Sequence, residues 1–283
     1  MNYYIVIPAH NEEAYLATTL DSVVQQTLLP KKVVIVNDHS TDGTEQIIDR
    51  YAAEYAFIEK VNTTSAGLRL PGSKVITAFN AGLEQLDEKY DFIVKLDADL
   101  ILPADYFEKI AGIFQNHPEV GMAGGFLHEK DDQGRWKLYH PMDRSHIRGA
   151  FKSYTRACFK AMGGLKNAMG WDTLDELLAQ FYGFGLYTDE SLVIKNLRAV
   201  GSAYSKKARL LQGVAMYRMQ YGFWLSALAS LKMAWKKRKP MVFMDNMRGY
   251  LKAWIEKQPF IVTNEQGLYI RRLRWKNIRR KLF

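Results

Sequence analysis

The sequence predicts an α/β domain built on a mostly parallel sheet flanked by helices, followed by a basic, mainly helical extension. Three observations carry this. Short apolar runs alternate with segments of helical periodicity over the first ~125 residues. Polar clusters, "PAHNE", "NDHS" and "DAD", fall where the apolar runs end. Charge is divided: residues 224–283 hold 15 Lys/Arg against 3 Asp/Glu, and the remainder holds 24 against 27, although the chain as a whole carries +9.

Taken in order, "YYIVIPA" is a strand of aromatic and β-branched residues ended by Pro8. "NEEAYLATTLDSVVQQT" has apolar residues at helical spacing and acids in its first turn. "KKVVIVND" is a continuous apolar run of the parallel-sheet type. "STDGTEQIIDRYAAEY" opens on capping residues and continues as a helix, and "FIEKVN" is a third strand. "SKVITAFNAGLEQLDEK" is helical, "YDFIVKLDAD" is another strand, and "PADYFEKIAGIFQNH" opens a helix with Pro at its start. "VGMAGGFLHE" is a strand, and "KDDQGRWKLYHPMDRS" is a polar loop or hairpin. "TLDELLAQFYGFG" and "TDESLVIKNLRAVG" are predicted as helices, each with an acidic start, and beyond Gln212 the chain is mainly helical and basic.

The 283 residues suffice for one large domain, or one domain with an appendage, and a hydrophobic content of 48% excludes a disordered chain. Cys158 is the single cysteine, so no internal disulfide forms. It fits a reducing compartment and a small apolar packing role. The first residues lack the basic and apolar regions of a signal peptide. The longest uncharged stretch near the C-terminus, 13 residues between Arg218 and Lys232, is shorter than the ~20 a membrane span needs. The expectation is a soluble or peripheral cytoplasmic protein.

In open α/β sheets ligands bind beyond the carboxyl ends of strands, and three such ends here carry acids or amides. Alternation along a strand points Asp97 and Asp99 of "KLDADLIL" to the same side. Two carboxylates so close repel unless a cation joins them. Hard oxygen ligands suit Mg²⁺ or Mn²⁺ shared with a ligand's phosphates.

Several stretches resemble the family 2, inverting glycosyltransferases of the GT-A fold. They are "IVIPAHNEEAYLATTLDSV", "VVIVNDHSTDGT", "SKVITAFNAGL", "FIVKLDADLILPADYFEKI" and "GGLKNAMGWDTLDELLAQ", in the family's order over roughly the first 215 residues. The resemblance implies a Rossmann-like domain over 1–215. Within it, 1–125 is the nucleotide-binding half and 126–215 the acceptor-binding half, with 216–283 as the basic extension. It implies transfer of a sugar from a nucleotide-sugar donor, UDP-linked by preference, to a glycan or lipid-linked acceptor in cell-surface polysaccharide synthesis, with Mn²⁺ or Mg²⁺ as cofactor. Pro8 and Ala9 let backbone approach the base. Glu12 has a structural or nucleotide-side role, or is a helix-start acid favoured by the dipole. Asp38 accepts from a pyrimidine N–H, or forms a turn with Ser40, and Asp42 is a cap. Lys74 offsets diphosphate charge, or is a solvated helix lysine, and Asn80-Ala81-Gly82 packs its helix. Asp97 contacts ribose or metal, and Asp99 is the main metal ligand. Lys95 is a partner for a neighbouring carboxylate.

Inverting transfer needs a base distinct from the metal pair, because an acceptor hydroxyl is a weak nucleophile until a carboxylate takes its proton. "WDTLDELL" supplies Asp172, Asp175 and Glu176. The resemblance aligns Asp175 with the base. Glu176 stays a rival, because the family's Glu precedes its Asp and here follows it. Trp171 and Asp172 fall on the acceptor side, where Trp171 either stacks on a sugar or joins the core. Arg148 and Lys152 meet acceptor phosphate or lie on a solvated basic face, the latter favoured. His140 and His146 complete the metal site or are structural.

"WKKRKP" and "RRLRWKNIRRKLF" interleave aromatics with cations, as interfacial segments on anionic membrane do. No nucleic-acid module is visible, so no nucleic-acid partner is expected. Rival readings are a non-catalytic nucleotide-sugar-binding protein and a phosphohydrolase of Asp-x-Asp type, disfavoured because its strand comes late and Ile101 stands at the fifth position.

Overall fold

Continuous β-branched and aromatic runs can be buried on both faces, and the sheet is built from them. The computed structural model describes residues 1–63, 74–139, 146–198 and 206–282. In it β1 (Tyr3–Ala9) runs parallel to β2 (Lys32–Asn37) on one side and β4 (Phe92–Leu96) on the other. A parallel β3 (Ile58–Asn62) extends the sheet beyond β2. The crossovers contain α1 (Leu16–Val24), α2 (Thr44–Glu54) and α3 (Lys74–Leu83). Helix α1 begins at Leu16, not near Asn11, because Asn11 takes φ 55° and its side-chain oxygen accepts from Thr41 N at 2.8 Å. That turn holds the end of β1 against the loop after β2. Gly82 lets α3 lie flat on the sheet, since a Cβ there would meet Val6 at 2.6 Å and Val36 at 2.7 Å.

Downstream come β5 (Leu100–Ile101), α4 (Tyr106–Asn116), β6 (Val120–Lys130), β7 (Trp136–Leu138), β8 (Phe151–Thr155), α5 (Arg156–Ala161), α6 (Trp171–Phe181) and β9 (Gly185–Asn196). The sheet order is β3-β2-β1-β4-β8-β6-β9-β5, with β7 against β6. The first four strands are parallel, and β8 enters antiparallel between β4 and β6, so the second half is mixed. The predicted hairpin is β6–β7.

Two segments differ from expectation. "TDESLVIKN" lies in β9 and is not a helix: Leu192, Ile194 and Asn196 are buried in alternation, the period of a strand. "FKSYT" is an interior strand whose Lys152 is fully buried, so the solvated basic face is not where Lys152 lies.

The C-terminal region is α7 (Lys206–Arg218), α8 (Phe223–Lys237), α9 (Met241–Ile255) and α10 (Asn264–Leu282). Helices α7 and α9 cross so closely that a Cβ on Gly213 would strike the Asn246 carbonyl, and one on Gly249 the Leu210 carbonyl. Beside that crossing Arg209 Nε pairs with the buried Asp245 Oδ2 at 2.7 Å. The boundary placed at residue 215 therefore falls inside α7, a helix bound to the C-terminal region through this crossing. Cys158 is buried, and burial pushes its thiol up to about 12, which suits packing and not nucleophilic chemistry. Among the described residues no helix is long and apolar enough to cross a membrane.

Candidate active site

Strands β1, β2 and β4 end side by side, and their ends meet the start of α3 around a cleft of about 290 Å³. Pro8, Ala9 and Glu12 line it from β1, Asp38 from β2, Lys74 from α3, and Asp97 and Asp99 from β4. All seven residues assigned to the donor side by sequence thus share one cavity.

Backbone hydrogen bonding fixes the frame. Asp38 N donates to Ala9 O at 2.8 Å, and Asp97 N donates to Ala150 O at 2.7 Å. The turn after β2 is made by Asn37, whose side-chain oxygen accepts from Ser40 N at 3.2 Å. Asp38 is not the residue that makes it. Its carboxylate instead accepts from Thr63 Oγ1 at 3.0 Å and lines the cleft. Asp42 precedes Gly43, the cap position of α2, and its carboxylate accepts from Thr44 N at 3.1 Å.

Asp97 and Asp99 are held apart by different cations. Buried Lys95 reaches forward along its strand and pairs with Asp97 Oδ1. Arg198, just past β9, pairs with Glu12 Oε2 and sets its Nε 3.4 Å from Asp99 Oδ2. Leu197 N donates to Asp99 O at 2.8 Å, which brings that arginine to the site. Burial pushes the Asp99 carboxyl up to about 6; Asp97 adds to the rise and Arg198 opposes it. Burial likewise pushes Glu12 up to about 7, where Arg198 pulls down and Asp99 and Asp97 push up. Glu12 is ion-paired yet raised, because desolvation and two neighbouring acids outweigh one partly exposed guanidinium. Sequence reading missed Arg198 because it took this segment for a helix. The available signal was the alternation in "SLVIKN", with Arg198 two residues beyond its end.

Among the described residues no cage of three or more His, Cys, Asp or Glu side chains is gathered for a metal. Mg²⁺ or Mn²⁺ needs no such cage when a ligand's phosphates supply the other oxygens. Desolvated Asp99, raised by Asp97 and bridged to Glu12 by a cation, is a donor set that fits a divalent ion.

The acceptor side is organised around Lys152. Its Nζ lies 2.8 and 3.0 Å from the two oxygens of Asp175 and 3.2 Å from Glu176 Oε1, and it also donates to the Asp172 carbonyl. Tyr154 Oη donates to Asp175 Oδ2 at 2.7 Å. Glu176 accepts from Ile147 N at 2.8 Å and faces His146 Nδ1 at 3.0 Å. Burial alone would lower the Lys152 ammonium, but Asp175 and Glu176 hold it above its ordinary value. Burial pushes Asp175 up to about 6, with Lys152 opposing, whereas Lys152 and His146 outweigh burial at Glu176 and hold it low.

Asp175, which the resemblance aligns with the base, and its rival Glu176 both lie in this cluster. Asp175 is 3% exposed and both its oxygens are occupied by buried donors. Glu176 borders a separate cavity between α6 and α10. Trp171 is buried, with the Lys95 and Lys152 ammonium groups 5.3 and 5.8 Å from its ring centroid, so it packs and does not present a face to a sugar. Asp172 is half-buried at the head of α6. It packs on Gly149, where a Cβ would come within 3.1 Å of the Asp172 Cβ, and Gly149 adjoins Ala150, the partner of Asp97 N. Asp172 is the one acid of α6 that is not buried. His146 belongs to the Glu176 cluster, and His140 lies outside the described residues. Arg148 stacks over Tyr139 at 4.3 Å.

Residues 4–170 match the family model for glycosyl transferase family 2. Poly-β-1,6-N-acetyl-D-glucosamine synthase of Staphylococcus epidermidis is 27% identical over 42% of this chain and 27% of its own length. The chain thus spans only about a quarter of that relative. TarS of S. aureus in complex with UDP-GlcNAc superposes with a TM-score of 0.59 at 18% identity, covering 76% of this chain and 65% of that one. A mannosyltransferase of Pyrobaculum calidifontis in complex with GDP-Man and Mn²⁺ has the same TM-score at 17% identity, covering 100% and 81%. These likenesses show the fold.

Proposed function

Because the chain belongs to glycosyl transferase family 2, we propose that it transfers a sugar from a nucleotide-sugar donor to an acceptor hydroxyl with inversion, in cell-surface polysaccharide synthesis. The acceptor is a glycan or a lipid-linked sugar, and the nucleotide is UDP. The observation that carries this reading is the single cleft shared by Asp38, Lys74, Asp97 and Asp99 at adjoining strand ends.

Each residue has a task there. Pro8 and Ala9 form a flat backbone wall for a base, and Asp38 accepts from its ring N–H. Lys74 faces the diphosphate as a counter-charge. Asp97 and Asp99 would hold Mn²⁺ or Mg²⁺, which supplies charge neutralisation to the departing diphosphate. Glu12 and Arg198 set the charge balance beside Asp99. Asp172 takes the proton from the attacking hydroxyl, since it is the partly exposed acid at the head of α6 while Asp175 and Glu176 are buried. The Lys152 cluster keeps α6 and β8 in register so that Asp172 stays in place. UDP-GlcNAc in TarS and poly-β-1,6-N-acetylglucosamine synthesis in the staphylococcal relative support the UDP and polysaccharide parts of the proposal. The basic extension and the exposed apolar residues of α8 support peripheral contact with anionic membrane at its cytoplasmic face.

A thermal-shift panel of nucleoside diphosphates with and without Mn²⁺ tests the donor assignment. UDP should stabilise the chain more than GDP or ADP, and more with Mn²⁺ than without. Equal small shifts for all three would reject it.

A further inference from the structure

An apolar cleft that adjoins the acceptor side is distinct from the donor cleft. It measures about 560 Å³, within the range of ligand sites. Met216, Met219, Tyr221, Leu225 and Met233 of the C-terminal region line it. One wall is Gly170 and Thr173, which flank Trp171 and Asp172 in the chain. Methionine-rich linings adapt to flexible apolar chains.

Two cations stand in this apolar setting. Lys232 is exposed on α8, and Arg274 projects from α10. Arg274 donates one hydrogen bond to Tyr221 Oη at 3.1 Å, while its buried Nε has no partner. A desolvated guanidinium donor without an acceptor is costly and marks a place for an anion. Leu228 lines the cleft and is 42% exposed, so the cleft opens on the face of α8 that carries Trp224 (72% exposed) and Leu231 (56%). Apolar lining, paired cations and a mouth on an exposed apolar stripe together describe the complement of an amphiphile with an anionic head.

We propose that this cleft binds the lipid carrier of a lipid-linked sugar acceptor, with its hydrocarbon chain along Met216, Leu225 and Met233 and its phosphate on Lys232 and Arg274, so that a hydroxyl of the carried sugar is the group that attacks. The inference rests on the transferase reading and selects the lipid-linked acceptor within it. A free glycan has no use for such a lining. A bulk bilayer lipid shares the chemistry, and the test separates the two sources by requiring a single saturable site in the absence of membrane.

The probe is decyl phosphate, kept below its micelle concentration and titrated into the full chain by calorimetry. Saturable one-site binding is expected, at least tenfold tighter than for inorganic phosphate or decanol. Ala229→Phe, which fills the cleft, and Lys232→Met should each weaken it about tenfold or more while UDP binding stays unchanged. Equal binding by Ala229→Phe, equal binding of inorganic phosphate, or non-saturable uptake would overturn the proposal. Should Ala229→Phe fail to fold, a diazirine-tailed alkyl phosphate on the wild-type chain decides. Labelling confined to residues 170–173, 212–233 and 274–278 supports the site, and labelling elsewhere rejects it. Binding of decyl phosphate with no binding of UDP would leave this site standing and remove the transferase reading.

Discussion

Arg198 Nε lies 3.4 Å from Asp99 Oδ2 while the same guanidinium pairs with Glu12. A protein cation thus occupies the flank of Asp99 that a divalent ion would share. The pair is partly exposed, so its worth is about 0.2–1 kcal/mol. Arg198→Ala should therefore tighten Mn²⁺ binding to the ligand-free chain a few-fold, read by titration of free Mn²⁺ in electron paramagnetic resonance. Unchanged or weaker Mn²⁺ affinity would show that the guanidinium does not compete for that position.

Asp172 and Asp175 should respond in opposite ways. Asp172→Asn removes the proposed base and should lower kcat by roughly 10²–10⁴, with UDP affinity and melting temperature unchanged. Asp175→Asn withdraws one acid from the fully buried Lys152 and should lower the melting temperature. If Asp175→Asn melts like the wild type and has lost transfer, the base returns to Asp175.

The buried cluster also makes a pH prediction. Asp175 already has its folded pKa raised, to about 6 against an ordinary 3.8. Between those values the folded state binds more protons than the unfolded chain, so this group's contribution to stability falls as pH rises through the window. Glu176, held low, contributes the opposite slope near its ordinary 4.5. Lys152→Met removes the cation that holds Glu176 down, so both acids then rise on folding. The variant should lose about 3–5 kcal/mol at pH 8 and recover part of it at pH 5, measured by denaturant unfolding. A variant equally stable at both pH values would mean that the acids do not depend on Lys152.

Much of this was legible because strand ends and ligand chemistry coincide. The runs ending at Ala9, Asn37 and Leu96 are apolar enough to be read as buried strands, and the residues after them had to share one rim. The second half was less legible. A lysine in "FKSYT" signals a surface, and only its two acid partners from α6, about twenty residues away, make its burial tolerable. No local pattern announces a partner at that distance. The same holds for Arg198, whose partners Glu12 and Asp99 lie 186 and 99 residues earlier in the chain. The order of acids in "WDTLDELL" is hard to read for a related reason. Helical phase alone did not say which acid faced the cleft and which faced Lys152.

The outer face of the C-terminal region yields the last prediction. Trp224, Leu231 and Trp235 of α8 are 72%, 56% and 83% exposed, and they recur at helical spacing on one side. Lys236 and Lys237 close that helix, and Arg238 and Lys239 follow it. Indole rings beside cations suit the headgroup region of an anionic bilayer, where each cation contributes about 1 kcal/mol and the rings bury apolar area. Lys236→Glu with Lys239→Glu should weaken sedimentation with phosphatidylserine vesicles by tenfold or more, and added salt should weaken the wild type in the same direction. Trp224→Ser with Trp235→Ser should weaken it at every salt concentration, because the apolar contribution is not screened. Neither pair should move the melting temperature, since these side chains pack against little of the fold. Binding insensitive to both pairs would place any membrane contact elsewhere on the chain.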